Sequence, residues 1–290
     1  MRWFYKLGEV MKKILEHLGF DEDPLSITPF CSDEDGSSYS VWKINYPHKS
    51  YVLKQAKGEE LSIYRTYFSG VPTYAPALYG TVQEQEKEYI LMEYIPGEDL
   101  RCCDRRKLTA VLDSLIAMQS DFWGEKLPEN ALNSRKIRYD YLFDSLLETA
   151  YQAYLVDCRC IPATLCHDDL LPFNVLVSED RCAFIDWEVG GILPYPTPLA
   201  RLIAHTEDKP DAFFYMTEDD KAFAIDYYYE KLLAGRGVAY ENYRRSLDFA
   251  LFYEYCEWVF VGNKYNTADS ERYAQYLALA CQKAKELGYT

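Results

Sequence analysis

Apolar residues fall into four strand-like runs between residues 40 and 94 and recur mainly at helical spacing afterwards. The first segment is helical as well. Val10, Met11, Ile14, Leu15 and Leu18 share one helical stripe closed by Gly19, which predicts a packed N-terminal helix. Residues 40–46 and 50–55 then read as strands on either side of Pro47-His48-Lys49, behind a turn at Asp35-Gly36-Ser37-Ser38. Residues 59–68 read as a helix, and 77–83 with 88–94 as a second hairpin that stops at Pro96-Gly97.

Beyond a linker at residues 94–98 the stripes are helical. Tyr139, Leu142, Phe143, Leu146, Leu147 and Ala150 form one, Phe249, Phe252, Tyr253, Cys256 and Phe260 a second, and Tyr273, Tyr276, Leu277, Ala280 and Cys281 a third. One β-hairpin interrupts them: Val175-Leu176-Val177, a turn at Ser178-Glu179-Asp180, and a returning strand Cys182-Ala183-Phe184-Ile185. The pattern predicts an α+β chain with two lobes, residues 1–94 built on a small antiparallel sheet and residues 95–290 mainly helical. No repeat or low-complexity tract stands out.

Three short strings stand at points of this pattern where chemistry is concentrated. They are Val52-Leu53-Lys54 on a strand, His167-Asp168-Asp169 with Asn174 after it, and Ile185-Asp186-Trp187-Glu188 at the end of the hairpin. Phosphoryl transfer asks a protein for a cation at the nucleotide phosphates, oxygen ligands for Mg²⁺ and a carboxylate facing the acceptor hydroxyl. Lys54, then Asn174 with Asp186, then Asp169 match those roles. In H-x-D-x-x-x-x-N the carboxylate points at the acceptor while the asparagine reaches back to the metal. The predicted hairpin would bring Asn174 and Asp186 to neighbouring ends, as two ligands of one hard cation require. A competing reading leaves Lys54 as a solvated lysine on an edge strand.

With these strings the chain resembles the superfamily of aminoglycoside phosphotransferases and choline kinases, small-molecule kinases with a protein-kinase-like two-lobe fold. The resemblance covers about residues 36–200, and Asp186-Trp187-Glu188, where a protein kinase carries D-F-G, favours a small-molecule acceptor. It implies ATP and Mg²⁺ as cofactors, Asp169 as catalytic base or hydroxyl-positioning residue, Asn174 and Asp186 as metal ligands, and Glu188 as a candidate for a second metal ion. It also implies Glu60 as the partner of Lys54, with Glu59 as the alternative. Ser37 and Ser38 would face phosphate, and the Glu93 carbonyl and Ile95 N–H would pair with adenine. Their plainer readings are a hairpin turn and a buried strand end. His167 would brace the catalytic loop. Three positions depart from the family: Asp168 replaces a glycine, Met118-Gln119 replaces Leu-His, and Pro198-Leu199-Ala200 stands where an aspartate begins D-L-A.

Composition narrows the partners. A length of 290 residues with 49% hydrophobic residues suits two lobes. No apolar run reaches the ~18 residues of a membrane span, and Glu9 and Glu16 interrupt the N-terminal segment where a signal peptide is apolar, so a cytoplasmic enzyme is expected. The nine scattered cysteines suggest reduced thiols, without a disulfide framework or zinc site. A net charge of -15 argues against nucleic acid or an anionic membrane as partner, and leaves nucleotide binding to local groups and Mg²⁺.

Glu254, Glu257 and Trp258 lie together on one helical face, and acids beside an aromatic suit a cationic ligand. A solvated face with one packed tryptophan is the alternative. Residues 207–220, acidic around Phe213-Phe214-Tyr215, read either as a substrate lid or as a charged loop docked by its aromatics. The expectation is an ATP-dependent phosphotransferase for a hydroxyl of a small cationic molecule such as an aminoglycoside, choline or another amino alcohol or sugar. A nucleotide- or protein-binding pseudokinase is the rival, and a protein kinase a further one that the absence of an A-P-E string disfavours.

Overall fold

The computed structural model describes residues 2–31, 36–68, 70 and 73–290, with side chains from residue 10 onward. Asp35, the first residue of the expected turn before Ser37 and Ser38, lies outside them. The chain divides into two compact units: Met1–Gly97 with Ala183–Val189, and Glu98–Cys182 with Gly190–Thr290.

The first unit is a helix packed on an antiparallel sheet. It contains α1 (Arg2–His17), β1 (Ser26–Cys31), β2 (Ser38–Asn45), β3 (Ser50–Gln55), α2 (Glu60–Tyr67), β4 (Leu78–Glu84) and β5 (Lys87–Glu93). The five strands run in the order β1-β2-β3-β5-β4. Met11, Ile14 and Leu15 of the N-terminal stripe bury against Trp42, Ile44, Leu53, Tyr89 and Leu91, so the alternation of the strands and the stripe of the helix meet in one core. The exposed edge strand β1 is a finding that the pattern did not predict, because Ser26–Cys31 lies wholly at the surface and carries no alternation.

Residues 183–189 pack with this unit although they lie far along the sequence. Trp187 is fully buried, its indole N–H donates to the Phe184 carbonyl at 2.9 Å, and its ring meets Phe68 at 4.8 Å. Phe184 donates its backbone N–H to Tyr74 at 2.9 Å.

The second unit holds α3 (Arg105–Asp121), α4 (Asn133–Tyr139), α5 (Ser145–Cys160), β6 (Ala163–His167), a 3₁₀ turn at Pro172–Asn174, and β7 (Val175–Val177). Strand β8 (Cys182–Phe184) is where the chain leaves it. It resumes with β9 (Gly190–Pro194), α6 (Thr197–Ala204), α7 (Glu218–Tyr228), α8 (Tyr240–Tyr265) and α9 (Glu271–Glu286). Strands β6 and β9 pair antiparallel from Ala163↔Pro194 to His167↔Gly190. Helices α5, α8 and α9 bury Leu147, Ala150, Tyr151, Phe249, Phe252, Cys256 and Ala280 in a common core.

One expected stripe is two helices. Between α4 and α5 the chain turns at Phe143, which has φ 52° and is 72% exposed, and Asp144 caps α5 by accepting from the N–H groups of Leu146 and Leu147, both at 3.0 Å. The periodic spacing of Tyr139 through Ala150 concealed a cap that only Asp144-Ser145 signals. All nine cysteines are free, and no helix among the described residues is long and apolar enough to cross a membrane.

Candidate active site

Lys54 sits on β3 between Val41 of β2 and Ile90 of β5, and its side chain is only 7% exposed. A lone buried ammonium is costly, so its surroundings must supply charge. Nζ donates to Glu60 Oε1 at 2.9 Å and to Asp186 Oδ1, and Glu188 Oε1 lies 4.0 Å away. Burial alone would lower the Lys54 pKa, but Glu60 and Asp186 outweigh it and the net shift is upward. Glu60 is fully buried, and burial pushes it up to about 7 against the pull of Lys54. Glu60, the first residue of α2, is thus the partner of Lys54; Glu59 is N-cap to the same helix and donates its backbone N–H to Glu188 at 3.0 Å.

The backbone explains why these acids stand there. Gly58 has φ +50°, and a Cβ at that position would lie 2.3 Å from the Glu188 carbonyl oxygen, so only glycine lets the Lys57–Glu59 turn approach so closely. Lys57 Nζ meets Glu188 Oε1 at 3.4 Å. Asp186 itself takes the left-handed conformation with φ 65°, which is strained for a non-glycine residue and of the kind that clusters at functional sites. Its side chain is 42% exposed.

Other residues expected near nucleotide lie in the same unit. Ser38 Oγ accepts from the Ser40 N–H at 3.3 Å, and Gly36 beside Ser37 has φ 70°. Glu93 ends β5, where its Oε2 accepts from the Ala77 N–H at 3.1 Å, and Ile95 is buried.

In the second unit β6 delivers His167-Asp168-Asp169. His167 is fully buried and its Nδ1 accepts from the Asp169 N–H at 3.2 Å, which makes it a brace of the loop. Asn174 donates Nδ2 to the Asp169 carbonyl at 2.8 Å and lies 3.4 Å from Asp169 Oδ2. With its nitrogen committed to Asp169, the amide oxygen is turned the other way, and oxygen is the atom that a hard cation takes. Asp186 and Asn174 therefore have the donor chemistry that Mg²⁺ needs.

The sequence reading missed two arginines. Arg135 Nη2 meets Asp168 Oδ1 at 2.6 Å, so the carboxylate that stands beside Asp169 is neutralised. Arg201, on α6, donates from Nε at 3.0 Å and Nη2 at 2.6 Å to Asp169 Oδ1, and from Nη1 to Glu254 Oε2 at 2.8 Å. The departure at Asp168 hinted at a cation there without saying which, and nothing signalled Arg201. Gln119 is similarly accounted for: it is fully buried, and its Nε2 donates to the Tyr195 carbonyl at 2.9 Å.

Each of the acceptor candidates on α8 meets an arginine of its own unit. Glu254 is held by Arg201 of α6, Glu257 pairs with Arg138 of α4, and Trp258 carries Arg272 of α9 at 4.6 Å from its ring while stacking on Tyr276 at 5.7 Å. Acids beside an aromatic did mark cation sites, but the cations come from three neighbouring helices of the same unit. In the acidic loop after α6, Phe214 packs on Phe173 at 5.6 Å, and the Tyr215 backbone N–H donates to the Arg101 carbonyl at 2.8 Å.

An antiparallel-sheet unit carrying a buried Lys–Glu pair and a mainly helical unit carrying H-x-D-x-x-x-x-N define a kinase-like fold. Over residues 30–230 the chain matches the phosphotransferase enzyme family (APH), and it belongs to that family of small-molecule kinases. Solved structures of similar fold include the aminoglycoside phosphotransferase APH(4)-Ia, a thermostable mutant in ternary complex with ADP and hygromycin B (14% identity, 96% of this chain and 98% of that chain covered, TM-score 0.57). Others are the choline kinase LicA from Streptococcus pneumoniae (16%, 95% and 98%, TM-score 0.58) and a choline kinase from Cryptosporidium parvum Iowa II (13%, 98% and 95%, TM-score 0.62). At these identities the likeness establishes the fold. No curated protein matches the chain.

Proposed function

We propose that this enzyme transfers the γ-phosphoryl group of ATP, as its Mg²⁺ complex, to a hydroxyl of a small polar molecule. The observation that carries the reading is Lys54, a nearly buried ammonium held by Glu60 and Asp186. Such a lysine is fixed in place and charged, and phosphate oxygens are the partners it is built to meet. Asp186 and Asn174 are the residues we assign to Mg²⁺, which when bound neutralises charge on the phosphates. Ser37 and Ser38 are assigned to the phosphates, and Glu93 and Ile95 to adenine. The ADP and AMP-PNP bound in several structures of similar fold support a nucleotide here.

Asp169 orients the acceptor hydroxyl. As the acceptor oxygen bonds to the γ-phosphorus, the bond from that phosphorus to the β–γ bridging oxygen breaks, ADP leaves, and the hydroxyl proton passes to the Asp169 carboxylate. His167 and Asn174 hold the loop that carries it.

The acceptor class we favour is an amino alcohol, amino sugar or aminoglycoside. The net charge of -15 draws cations at long range, and the similar structures include choline kinases and an enzyme crystallised with hygromycin B. Glu254, Glu257 and Trp258 are not part of that proposal, since each already holds an arginine. Free thiols and a need for ATP suit the cytoplasm. The test is a coupled ADP-release assay over a panel of choline, glucosamine, hygromycin B and neutral polyols. Acceptor-dependent ADP release is expected, strongest for the amino compounds.

A further inference from the structure

Arg201 is pinned on every side that carries a donor. Two of its nitrogens converge on Asp169 Oδ1, at 3.0 and 2.6 Å. Its third nitrogen, Nη1, meets Glu254 Oε2 at 2.8 Å and lies 3.2 Å from His205 Nε2. Glu254 is itself 1% exposed, and His205, 3.3 Å from the same carboxylate oxygen, is held through Nδ1 by Tyr276 Oη at 2.8 Å. The guanidinium is therefore fixed before any ligand arrives, and it takes hold of one oxygen of Asp169 only.

We propose that Arg201 is a positioning residue for Asp169, holding Oδ1 so that Oδ2 is the oxygen presented to the acceptor hydroxyl. The inference rests on the reading of Asp169 given above. Without that clamp the Asp169 carboxylate keeps only the long 3.4 Å contact of Oδ2 with Asn174 Nδ2 named above and gains freedom about its two side-chain torsions, and a carboxylate displaced by about 1 Å can cost roughly 100-fold in rate. A guanidinium suits the task because its planar fork reaches Asp169 and Glu254 at once. A lysine ammonium has three donors on one atom and cannot span both acids with the same geometry. The competing view is that Arg201 merely neutralises buried Glu254, in which case any cation serves.

The experiment measures kcat, the KM for Mg·ATP and the urea midpoint for the parent, Asp169→Asn, Arg201→Ala and Arg201→Lys, with the panel compound that the parent phosphorylates fastest. Arg201→Ala is expected to lose roughly 100-fold in kcat with its KM for Mg·ATP unchanged. Added guanidinium chloride at concentrations well below its midpoint should restore part of that loss, and sodium chloride of equal ionic strength should not. The site is open to the small cation, because the Arg201 side chain is 20% exposed. Arg201→Lys, which keeps a charge for Glu254 and covers the case in which the alanine variant does not fold, should recover the urea midpoint but not kcat. An Arg201→Lys enzyme with parental kcat overturns the proposal, as does a folded Arg201→Ala enzyme that is not slowed or that guanidinium does not help beyond salt. If Asp169→Asn turns over like the parent, the reading of Asp169 falls and the proposal with it; a slowed Asp169→Asn beside unslowed Arg201 variants removes Arg201 alone.

Discussion

Arg135 grips Asp168 with both terminal nitrogens, Nη2 to Oδ1 at 2.6 Å and Nη1 to Oδ2 at 3.2 Å, while its Nε donates to Tyr154 Oη at 2.8 Å. The arginine side chain is 1% exposed and its guanidinium lies 4.8 Å from the Tyr253 ring. A carboxylate in the loop next to Asp169 would repel a phosphate-bearing ligand; bound this way it has its charge balanced within the protein. Removing one partner of a buried ion pair leaves the other uncompensated, which costs about 3–5 kcal/mol. Arg135→Ala is therefore expected to lose stability on that scale. Urea unfolding of Arg135→Ala, Asp168→Ala and the double variant measures it, and the double variant should be less destabilised than the sum of the singles.

Glu254 gives the stability a defined response to acid. Burial alone would raise its pKa, but Arg201 and His205 outweigh burial and the net shift is downward. A carboxylate whose pKa is depressed on folding contributes stability above its unfolded pKa and loses it as the pH falls through the folded value. The parent should thus be more stable than Glu254→Gln at neutral pH, with the gap closing as the pH drops below the ordinary carboxylate range. Urea midpoints of both proteins across that range test the sign.

Glu257 and Trp258 are expected to matter for packing and not for the acceptor. Glu257→Gln leaves Arg138 without its carboxylate, so the thermal midpoint should fall. The KM for an amino acceptor should stay at the parental value. A raised KM with an unchanged midpoint would return Glu257 to the acceptor site.

How much of this was legible in the chain differs by element. The strand alternation around Lys54 and the stripe from Val10 to Leu18 announced the first unit because each buries one face in a shared core. The spacing from His167 to Asn174 likewise announced the loop that brings Asn174 to Asp169. Arg135 and Arg201 were not legible, because an arginine in a helix looks the same whether it meets solvent or a buried acid from another element. For the same reason the spacing of Glu254, Glu257 and Trp258 did not announce the arginines they meet. Sequence spacing gives the face of a helix, and only tertiary packing says what that face meets.

Lys54→Met should weaken nucleotide binding. A hydrogen bond to a charged group contributes about 1.5–3 kcal/mol, which corresponds to roughly a 10- to 150-fold loss of affinity. Calorimetric titration with AMP-PNP and Mg²⁺ measures it. The variant should also be less stable, since Glu60 is fully buried and would lose its cation.

The central claim, that this chain phosphorylates a hydroxyl with Asp169 receiving the proton, is tested most directly by acceptor-dependent ADP release from the parent and from Asp169→Asn, paired with AMP-PNP binding to both. The account predicts that the parent releases ADP only when an acceptor is present, and that Asp169→Asn binds AMP-PNP like the parent while its turnover falls by roughly 10²–10⁴-fold. Equal turnover by the two proteins, or a parent that binds AMP-PNP yet phosphorylates none of the hydroxyl compounds, would contradict it.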